Sequence, residues 1–358
     1  MSRLSELLHQ LKDREVNGYF TSSVSNITYL TGFTGDSSRL FVSPKRCVLM
    51  TDARYVEQAR MECPSEVEVF QWIDNKRYAI ETYRHIMNVA DVRKMGIEAT
   101  VLSHAEYETL KNSLVKTVLV SIDGTVEKLR QEKDMHEIEN LRKACLISDK
   151  ALEQTIPFIR EGVTELELTA RLEFNLKTNG AENLSFDSLI ISGARTSLLH
   201  GKPSQKKLEY GDLVLLDFGA LYQGYHADIS RTFILGKPSE QQKEIYHIIE
   251  KAQMEGVKSL TPDISSHTTD RAVRSFIPEK YIAFYYPGLG HGVGLELHEE
   301  PFLGQNYNEY MLKKNMTITI EPGIYIPGWG GIRIEDTVLI TEHGPESLTR
   351  FPRELTVL

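Results

Sequence analysis

Four acidic residues end or interrupt apolar runs that read as β-strands. Asp217 ends the run DLVLLD, and Glu321 ends MTITIE. Asp228 and Glu335 lie in the strand-like stretches ADISRTFIL and GIRIEDTVLI. Acidic side chains are depleted in strands and are costly to bury without a partner. Four of them together therefore need a common explanation.

Spacing groups the two aspartates into a facing pair. They flank the turn-like segment LYQG at residues 221–224. A hairpin centred between Tyr222 and Gln223 would place Asp217 directly opposite Asp228. Like charges directly opposite each other destabilise a sheet, so such a pair predicts a bound cation.

The same reasoning pairs Glu321 with Glu335 across a hairpin centred on Gly328. Two divalent metal ions would balance the four carboxylates. Oxygen ligands with one or two histidines suit Mn²⁺, Fe²⁺ or Co²⁺, and Zn²⁺ is also compatible. Two adjacent ions can hold a hydroxide and polarise a carbonyl, which is the chemistry of hydrolysis.

Three histidines have a sequence context that suits a site: His200 in LLHGKP, His291 in GLGHGVG and His298 in ELHEEP. Taken singly, each is also compatible with an ordinary hydrogen-bonded histidine. The H-E-x-x-H pattern of helical zinc proteases is absent, as are G-x-S-x-G and the P-loop. GLGHGVG lacks the spacing of a dinucleotide-binding loop.

Composition narrows the class of protein. The 358 residues include 41 Lys and Arg against 50 Asp and Glu, a net charge of −9. A mildly acidic chain lacks the basic face that nucleic-acid binding needs. Cys47, Cys63 and Cys145 are widely spaced and are expected to be free thiols. The absence of a membrane-spanning run or signal-peptide pattern predicts a cytoplasmic location and no membrane partner.

Glycine and histidine are unevenly distributed, which predicts two domains. Residues 1–125 hold five of the 24 glycines, whereas seven of the 11 histidines lie at or beyond position 200. Strand-like runs alternate with helical stretches in the first part, which predicts an α/β domain at 1–125. Helices followed by a glycine-punctuated antiparallel sheet predict an α+β domain at 126–358. Thr164 with Glu167 forms a capping-box pattern that predicts a helix start.

Several motifs occur together in one order: LLDFG, YHADISRT, GLGHGVGLELHEEP, ITIEPGIYI and GIRIED. This set resembles the creatinase/prolidase (pita-bread, M24-type) metallopeptidases. Within that family it is similar to the proline-specific branch, the Xaa-Pro dipeptidases (prolidases) and aminopeptidase P. The segments SNITYLTGF and DARY in the first domain extend the resemblance over essentially the whole chain.

The resemblance implies a ligand set for two divalent ions. Asp217 would bind one metal, and Asp228 and Glu335 would bridge both. His291 and Glu321 would complete the shell of the other ion. The family resemblance favours Mn²⁺ or Co²⁺, with Fe²⁺ or Zn²⁺ possible by the ligand chemistry.

The resemblance also implies the remaining roles. His200 and His298 would line the substrate site and move protons, and Arg333 would hydrogen-bond a metal ligand. A metal-bridging hydroxide would attack the Xaa-Pro bond of a short peptide. The implied fold is a C-terminal pita-bread catalytic domain preceded by a smaller creatinase-type α/β domain, and the implied assembly is a homodimer.

One departure leaves the substrate open. Several prolidases carry an arginine that grips the substrate carboxylate, between the positions of His298 and Glu321. This chain has Lys313 and Lys314 there but no arginine, and Phe302 follows the EEP motif. Dipeptidase and aminopeptidase therefore both stand. More remote alternatives are a metal-free creatinase-type hydrolase, a methionine aminopeptidase and an inactive binding module.

Overall fold

The computed structural model describes residues 2–72, 76–88 and 91–358. The chain divides into two compact units, Met1–Arg130 and Gln131–Leu358. The domain boundary expected between residues 125 and 126 stays a prediction.

The N-terminal unit alternates helices with strands. Its helices are α1 (Arg3–Asp13), α2 (Val24–Thr31), α3 (Val56–Glu62), α4 (Lys76–Asn88), α5 (His104–Ser113) and α6 (Thr125–Gln131). Its strands are β1 (Gly18–Thr21), β2 (Ser38–Val42), β3 (Cys47–Thr51), β4 (Val67–Gln71), β5 (Lys94–Ile97) and β6 (Val118–Ser121).

Within the described residues, these six strands form one mixed sheet in the order β4-β3-β2-β1-β5-β6. The pairs β1–β2 and β2–β3 are antiparallel, and the others are parallel. Phe20, Phe41, Met50 and Tyr83 lie in the hydrophobic core of this unit. Apolar side chains therefore hold helix and sheet together here, as in other α/β domains.

A buried carboxylate, Glu98, lies directly after β5. It accepts hydrogen bonds from the hydroxyls of Tyr19 and Thr21 and from the amide of Asn26, whose Nδ2 lies 2.6 Å from Glu98 Oε1. Burial raises the pKa of the Glu98 carboxyl to about 7. The Asn26 amide also donates to Glu127 at 2.8 Å, so this carboxylate belongs to a polar network inside the unit.

The C-terminal unit contains α7 (Met135–Thr155), α8 (Glu165–Thr178), α9 (Glu240–Ser259), α10 (Ser266–Arg274) and α11 (Glu279–Ile282). Its strands are β7 (Asn183–Leu184), β8 (Leu189–Ser192), β9 (Leu213–Phe218), β10 (Ala220–Tyr222), β11 (Tyr225–His226), β12 (Ile229–Ile234), β13 (Gly288–Gly292), β14 (Glu299–Gly304), β15 (Thr317–Ile320), β16 (Gly323–Ile326), β17 (Gly330–Arg333), β18 (Asp336–Thr341) and β19 (Gly344–Ser347). Short 3₁₀ turns lie at Ile156–Phe158 and Gly193–Ser197.

Antiparallel ladders dominate the sheets of this unit. Strands β12-β9-β8 form one sheet, β14-β13-β15-β18-β19 a second and β11-β10-β7 a third, and β16 pairs with β17. Helices α7 and α8 and helix α9 with α10 pack on separate hydrophobic cores built with these strands. The predicted capping box is confirmed, since Thr164 and Glu167 exchange hydrogen bonds at the start of α8. The predicted α+β fold of this part of the chain is also confirmed.

Among the described helices, none is both long enough and apolar enough to cross a lipid bilayer. Cys47, Cys63 and Cys145 are free thiols, as predicted.

Candidate metal centre

Asp217 and Asp228 are brought together by a hairpin, in a register different from the one predicted. Asp217 in β9 pairs with Ser230 in β12, so Asp228 lies two residues from the position facing Asp217. The turn is centred between Gln223 and Gly224 rather than one residue earlier. Both have positive φ angles, 49° and 76°, the backbone of a type I′ hairpin turn. Since side chains alternate with a period of two, the two-residue shift keeps both aspartates on one face.

Glu321 and Glu335 lie opposite each other, as predicted. Glu321 follows directly after β15, and Glu335 lies two residues after β17. The pairing of β15 with β18 and that of β16 with β17 share one register, which the hairpin around Gly328 sets. Ser230 Oγ donates to Glu335 Oε2 at 2.7 Å. An isolated bridge between Ser230 and Glu335 joins this hairpin to the sheet that carries the aspartates.

His291 lies in β13 between two glycines. A Cβ atom at Gly290 would lie 1.9 Å from the carbonyl oxygen of Thr319, and one at Gly292 would lie 2.5 Å from that of Glu300. Only glycine lets the neighbouring backbone approach this closely. The Nδ1 of His291 lies 3.0 Å from the Gly292 carbonyl oxygen and therefore donates a proton to it. The Nε2 atom is left to face the carboxylates.

Three buried side chains form a tight group at this point. Asp228, His291 and Glu335 each offer one ligand atom, and these atoms lie within 4.8 Å of one another. His291 Nε2 lies 3.5 Å from Asp228 Oδ2 and 3.6 Å from Glu321 Oε1. Asp228 Oδ1 is buried and has no hydrogen-bond partner within the described part of the chain. An orphaned buried carboxylate oxygen beside a histidine nitrogen is the donor set that a divalent cation requires.

The raised pKa values of these carboxyl groups also indicate a bound cation. Burial raises the pKa of the Asp228 carboxyl well above its usual range, and the charges of Asp217 and Glu321 raise it further. Burial and the Asp228 charge do the same to the pKa of Glu335. Carboxylates this close repel one another unless protons or cations intervene. The chemistry of the group thus fits divalent cations.

Arg333 supplies one internal positive charge and is itself buried. Its Nη2 donates to Asp217 Oδ2, its Nη1 to the Tyr325 hydroxyl at 2.8 Å and its Nε to Ser230 Oγ at 2.8 Å. Tyr325 and Ser230 were not singled out from the sequence. The alternation of residues in β12 and the EPGIYI motif could have pointed to them. One guanidinium cannot balance four carboxylates.

His298 and His200 lie beside the carboxylates. The rings of His298 and His291 meet edge to face, with centroids 4.3 Å apart. Burial lowers the pKa of the His298 imidazole to about 4, and repulsion between its charged form and the neighbouring imidazoles of His291 and His200 contributes to this. His200 lies in an exposed loop after β8.

A buried glutamate that the sequence analysis did not recognise holds the loop of His200. Glu165, at the start of α8, accepts hydrogen bonds from the backbone nitrogen and hydroxyl of Ser192 at 2.8 and 3.0 Å. It also accepts from Arg195 Nε at 3.2 Å and from the nitrogen and hydroxyl of Ser204 at 2.9 and 2.7 Å. Both ends of the loop are therefore tied to one carboxylate.

All eight predicted site residues line one cavity of about 680 Å³. The predicted metal ligands and the predicted catalytic residues thus share one open space, with the carboxylates, imidazoles and guanidinium gathered on its wall. The cavity is lined by Phe186, Asp187, Leu189, Leu199, His200, Lys202, Asp217, Asp228, Tyr286, Gly288, Gly290, His291, Leu297, His298, Phe302, Tyr307, Glu321, Tyr325, Arg333 and Glu335.

Two family models match the chain. The model described as metallopeptidase family M24 matches residues 139–342, and the creatinase/prolidase N-terminal domain matches residues 3–131. All of the predicted ligands lie inside the first match.

Individual proteins are similar over the whole length. The Xaa-Pro dipeptidase of Pyrococcus furiosus is 40% identical over 355 residues, which is 99% of each chain. The solved structure of an Xaa-Pro dipeptidase from Bacillus anthracis matches with a TM-score of 0.94 and 37% identity, over 99% of both chains. The X-Pro aminopeptidase from Thermotoga maritima matches with a TM-score of 0.91 and 35% identity, over all of both chains.

Proposed function

We propose, from the premise that the chain belongs to metallopeptidase family M24, that it hydrolyses Xaa-Pro bonds in short peptides as an Xaa-Pro dipeptidase. Two divalent metal ions would be held by Asp217, Asp228, His291, Glu321 and Glu335. The names of full-length relatives at 37–40% identity support this choice of substrate.

One observation carries the proposal. Four carboxylates and a histidine converge on one cavity, and among the described residues the only guanidinium lining it is that of Arg333. Burying such a group without cations would cost a large free energy. The unpartnered Oδ1 of Asp228 is the atom most in need of a cation.

Oxygen-rich ligation favours manganese as the native ion, with cobalt, iron(II) or zinc as alternatives. When bound, such a pair of ions supplies Lewis acidity, which generates a nucleophile from water at neutral pH and polarises a carbonyl.

His298 and His200 are proposed to handle protons at the scissile bond. A neutral imidazole can donate its N–H to the carbonyl oxygen of the substrate. An imidazole that first accepts a proton from the attacking water can pass that proton to the proline nitrogen as that nitrogen leaves. The edge-to-face contact with His291 fixes the ring of His298 beside the metal ligands. His200 lies in the loop held by Glu165, so its position depends on that carboxylate.

Arg333 is proposed as a positioning residue. Its fork holds Asp217, Tyr325 and Ser230 in one arrangement, and Ser230 in turn donates to Glu335. Because a guanidinium is planar and permanently charged, it fixes the orientation of the carboxylate it contacts. A lysine carries its three donors on one nitrogen, so it could not reach partners arranged around a planar fork.

Aromatic side chains provide an apolar wall for the proline ring. Phe302 and Tyr307 stack with ring centroids 5.4 Å apart, and both line the cavity together with Tyr286. A pyrrolidine ring offers apolar surface and no N–H group once it is in an Xaa-Pro bond, so it suits such a wall.

Aminopeptidase activity on longer Xaa-Pro peptides is the second candidate. The family resemblance leads us to expect a carboxylate-binding arginine between His298 and Glu321 in a dipeptidase. This chain has no arginine there, and Phe302 follows its EEP motif. A longer peptide places no carboxylate at that point, so its binding would not need an arginine there. The full-length similarity to the Thermotoga maritima aminopeptidase supports this candidate.

The test compares Ala-Pro with Ala-Pro-Ala on protein loaded with Mn²⁺ and then with Co²⁺. Cleavage of Ala-Pro supports the dipeptidase. Cleavage of the tripeptide with little action on Ala-Pro supports the aminopeptidase. Cleavage of neither, with metal bound in stoichiometric amount, contradicts both and returns the inactive binding module to consideration.

The assembly and location remain predictions. A homodimer is expected from the family resemblance and is measured by sedimentation or light scattering. A cytoplasmic location is expected from the sequence and is measured by cell fractionation.

A further inference from the structure

Two charged side chains line the cavity without belonging to the proposed metal centre. They are Asp187 and Lys202, and both are exposed. Within the described residues, neither side chain takes part in an ion pair or a side-chain hydrogen bond. Lys202 is therefore a free cation at the cavity, whereas Asp187 would repel an anion.

The backbone of Lys202 is held in place although its side chain is free. Arg195 Nη2 donates to the carbonyl oxygen of Lys202 at 2.6 Å, and Arg195 Nε donates to the buried Glu165. Ser204, two residues later, is tied to the same glutamate. The Lys202 ammonium thus extends on a flexible stem from a fixed point beside His200.

Other cations of the C-terminal unit are already engaged. Arg333 is buried against Asp217 and Tyr325. Lys313 forms an ion pair with Glu132 at 2.6 Å, and Lys314 forms one with Glu342 at 2.8 Å. Neither lysine lines the cavity. Lys202 is the cavity's one uncommitted permanent cation among the described residues.

We infer that Lys202 binds the C-terminal carboxylate of an Xaa-Pro dipeptide, an inference that rests on the proposed function. In a dipeptide that carboxylate lies one residue beyond the scissile bond, so it must enter the cavity together with the proline ring. It loses water there and needs a cationic partner. A lysine accommodates it as a point charge on a movable stem.

The experiment measures kcat and KM for Ala-Pro and for Ala-Pro amide, which lacks the carboxylate. Wild type, Lys202→Met, Lys202→Arg and the control Lys207→Met are compared after equal metal loading. Lys207 is an exposed lysine five residues away that does not line the cavity. Metal content of each variant is measured alongside.

Lys202→Met should lower kcat/KM for Ala-Pro roughly 10- to 100-fold, the range for one hydrogen bond to a charged group, mainly through KM. The amide should lose much less, Lys202→Arg should recover most of the activity on Ala-Pro, and Lys207→Met should change neither substrate.

Equal losses on both substrates, or no loss on Ala-Pro, would overturn the assignment of Lys202. A wild type that cleaves the amide and Ala-Pro-Ala but not Ala-Pro would overturn it while leaving Xaa-Pro hydrolysis intact. A metal-loaded wild type that cleaves none of these would instead overturn the proposed function itself.

Discussion

The N-terminal and C-terminal units both bury carboxylates, but they satisfy them in different ways. Glu98 in the first unit is surrounded by donors, the hydroxyls of Tyr19 and Thr21 and the amide of Asn26. Asp228 in the second unit faces the negative charges of Asp217 and Glu321, and one of its oxygens has no hydrogen-bond partner among the described residues. A shifted pKa alone would not separate the two sites, because burial raises both.

The groups that surround each carboxylate do distinguish the two sites. Donors to both oxygens of a carboxylate indicate a structural group that needs no cation from outside the protein. Neighbouring carboxylates around a carboxylate oxygen that has no partner indicate that the site takes a positive charge from outside the protein. The two sites should therefore respond in opposite ways to metal ions and to charge-removing substitutions.

The largest expected effect is on the C-terminal site. Asp228→Asn and Glu335→Gln should each abolish peptidase activity and lose at least one bound ion, because each would remove a bridging ligand. Activity on Ala-Pro and metal content by mass spectrometry check this. Glu98→Gln is the control and should keep both ions. Near-normal activity with full metal content in either ligand variant would contradict the bridging assignment.

Metal binding should stabilise the chain through the C-terminal site alone. Free Mn²⁺ at a thousand times its dissociation constant should raise the free energy of unfolding by about 4 kcal/mol per site. Thermal unfolding with and without chelator measures the effect. Glu98→Gln should retain this gain, and Asp228→Asn should lose much of it. An equal gain in Asp228→Asn and wild type would place the ions elsewhere.

At Glu98, proton binding rather than metal binding should stabilise the folded chain. Its pKa is about 7 in the folded chain against an ordinary 4.5, so the folded state binds a proton more tightly than the unfolded state. This contribution to stability is complete below pH 4.5 and is lost as pH rises through 7, a change of about 3 kcal/mol. Denaturant unfolding between pH 4.5 and 8 should show this fall in wild type, and Glu98→Gln should lack it. Parallel pH profiles for the two proteins would refute it.

The smallest expected effect concerns Glu165, a second fully partnered carboxylate. Glu165→Gln should cost about 1–3 kcal/mol of stability, because an amide group cannot accept every donor now aimed at it. It should also lower kcat by displacing the loop of His200, without changing metal content. In a His200→Ala background this loss of kcat should vanish while the stability loss persists. An increase in KM for Ala-Pro through Lys202, whose segment Glu165 also holds, should remain. Persistence of both losses would mean that Glu165 does not act through His200.

The sequence predicts this site well where local rules apply. The hairpin around Gly328 set the register of Glu321 against Glu335, because one turn determines the whole ladder. The same reasoning failed by two residues at Asp217, since Gln223 takes a positive φ that favours glycine or asparagine. Both aspartates still lie on one face of the sheet, because the register differed from the prediction by two residues and side chains alternate with a period of two.

Contacts between distant segments lay beyond sequence reasoning. Glu165 reads as an ordinary residue in the first turn of a helix, and nothing in its neighbourhood announces hydrogen bonds to Ser192 and Ser204. Glu98 meets Tyr19 across 79 positions of the chain. Such partners follow from the tertiary arrangement, which a single sequence does not reveal. The family resemblance supplied the shared motifs but could not supply Lys202.

The glycines beside His291 bear on how this chain can change over generations. Any side chain at Gly290 or Gly292 would force apart strands that touch through their backbones. A descendant could exchange His291 and give up hydrolysis while the sheet stays intact, but it could not exchange the glycines so cheaply. We therefore expect the two glycines to be retained even in descendants that have lost the metal ligands and no longer bind an ion.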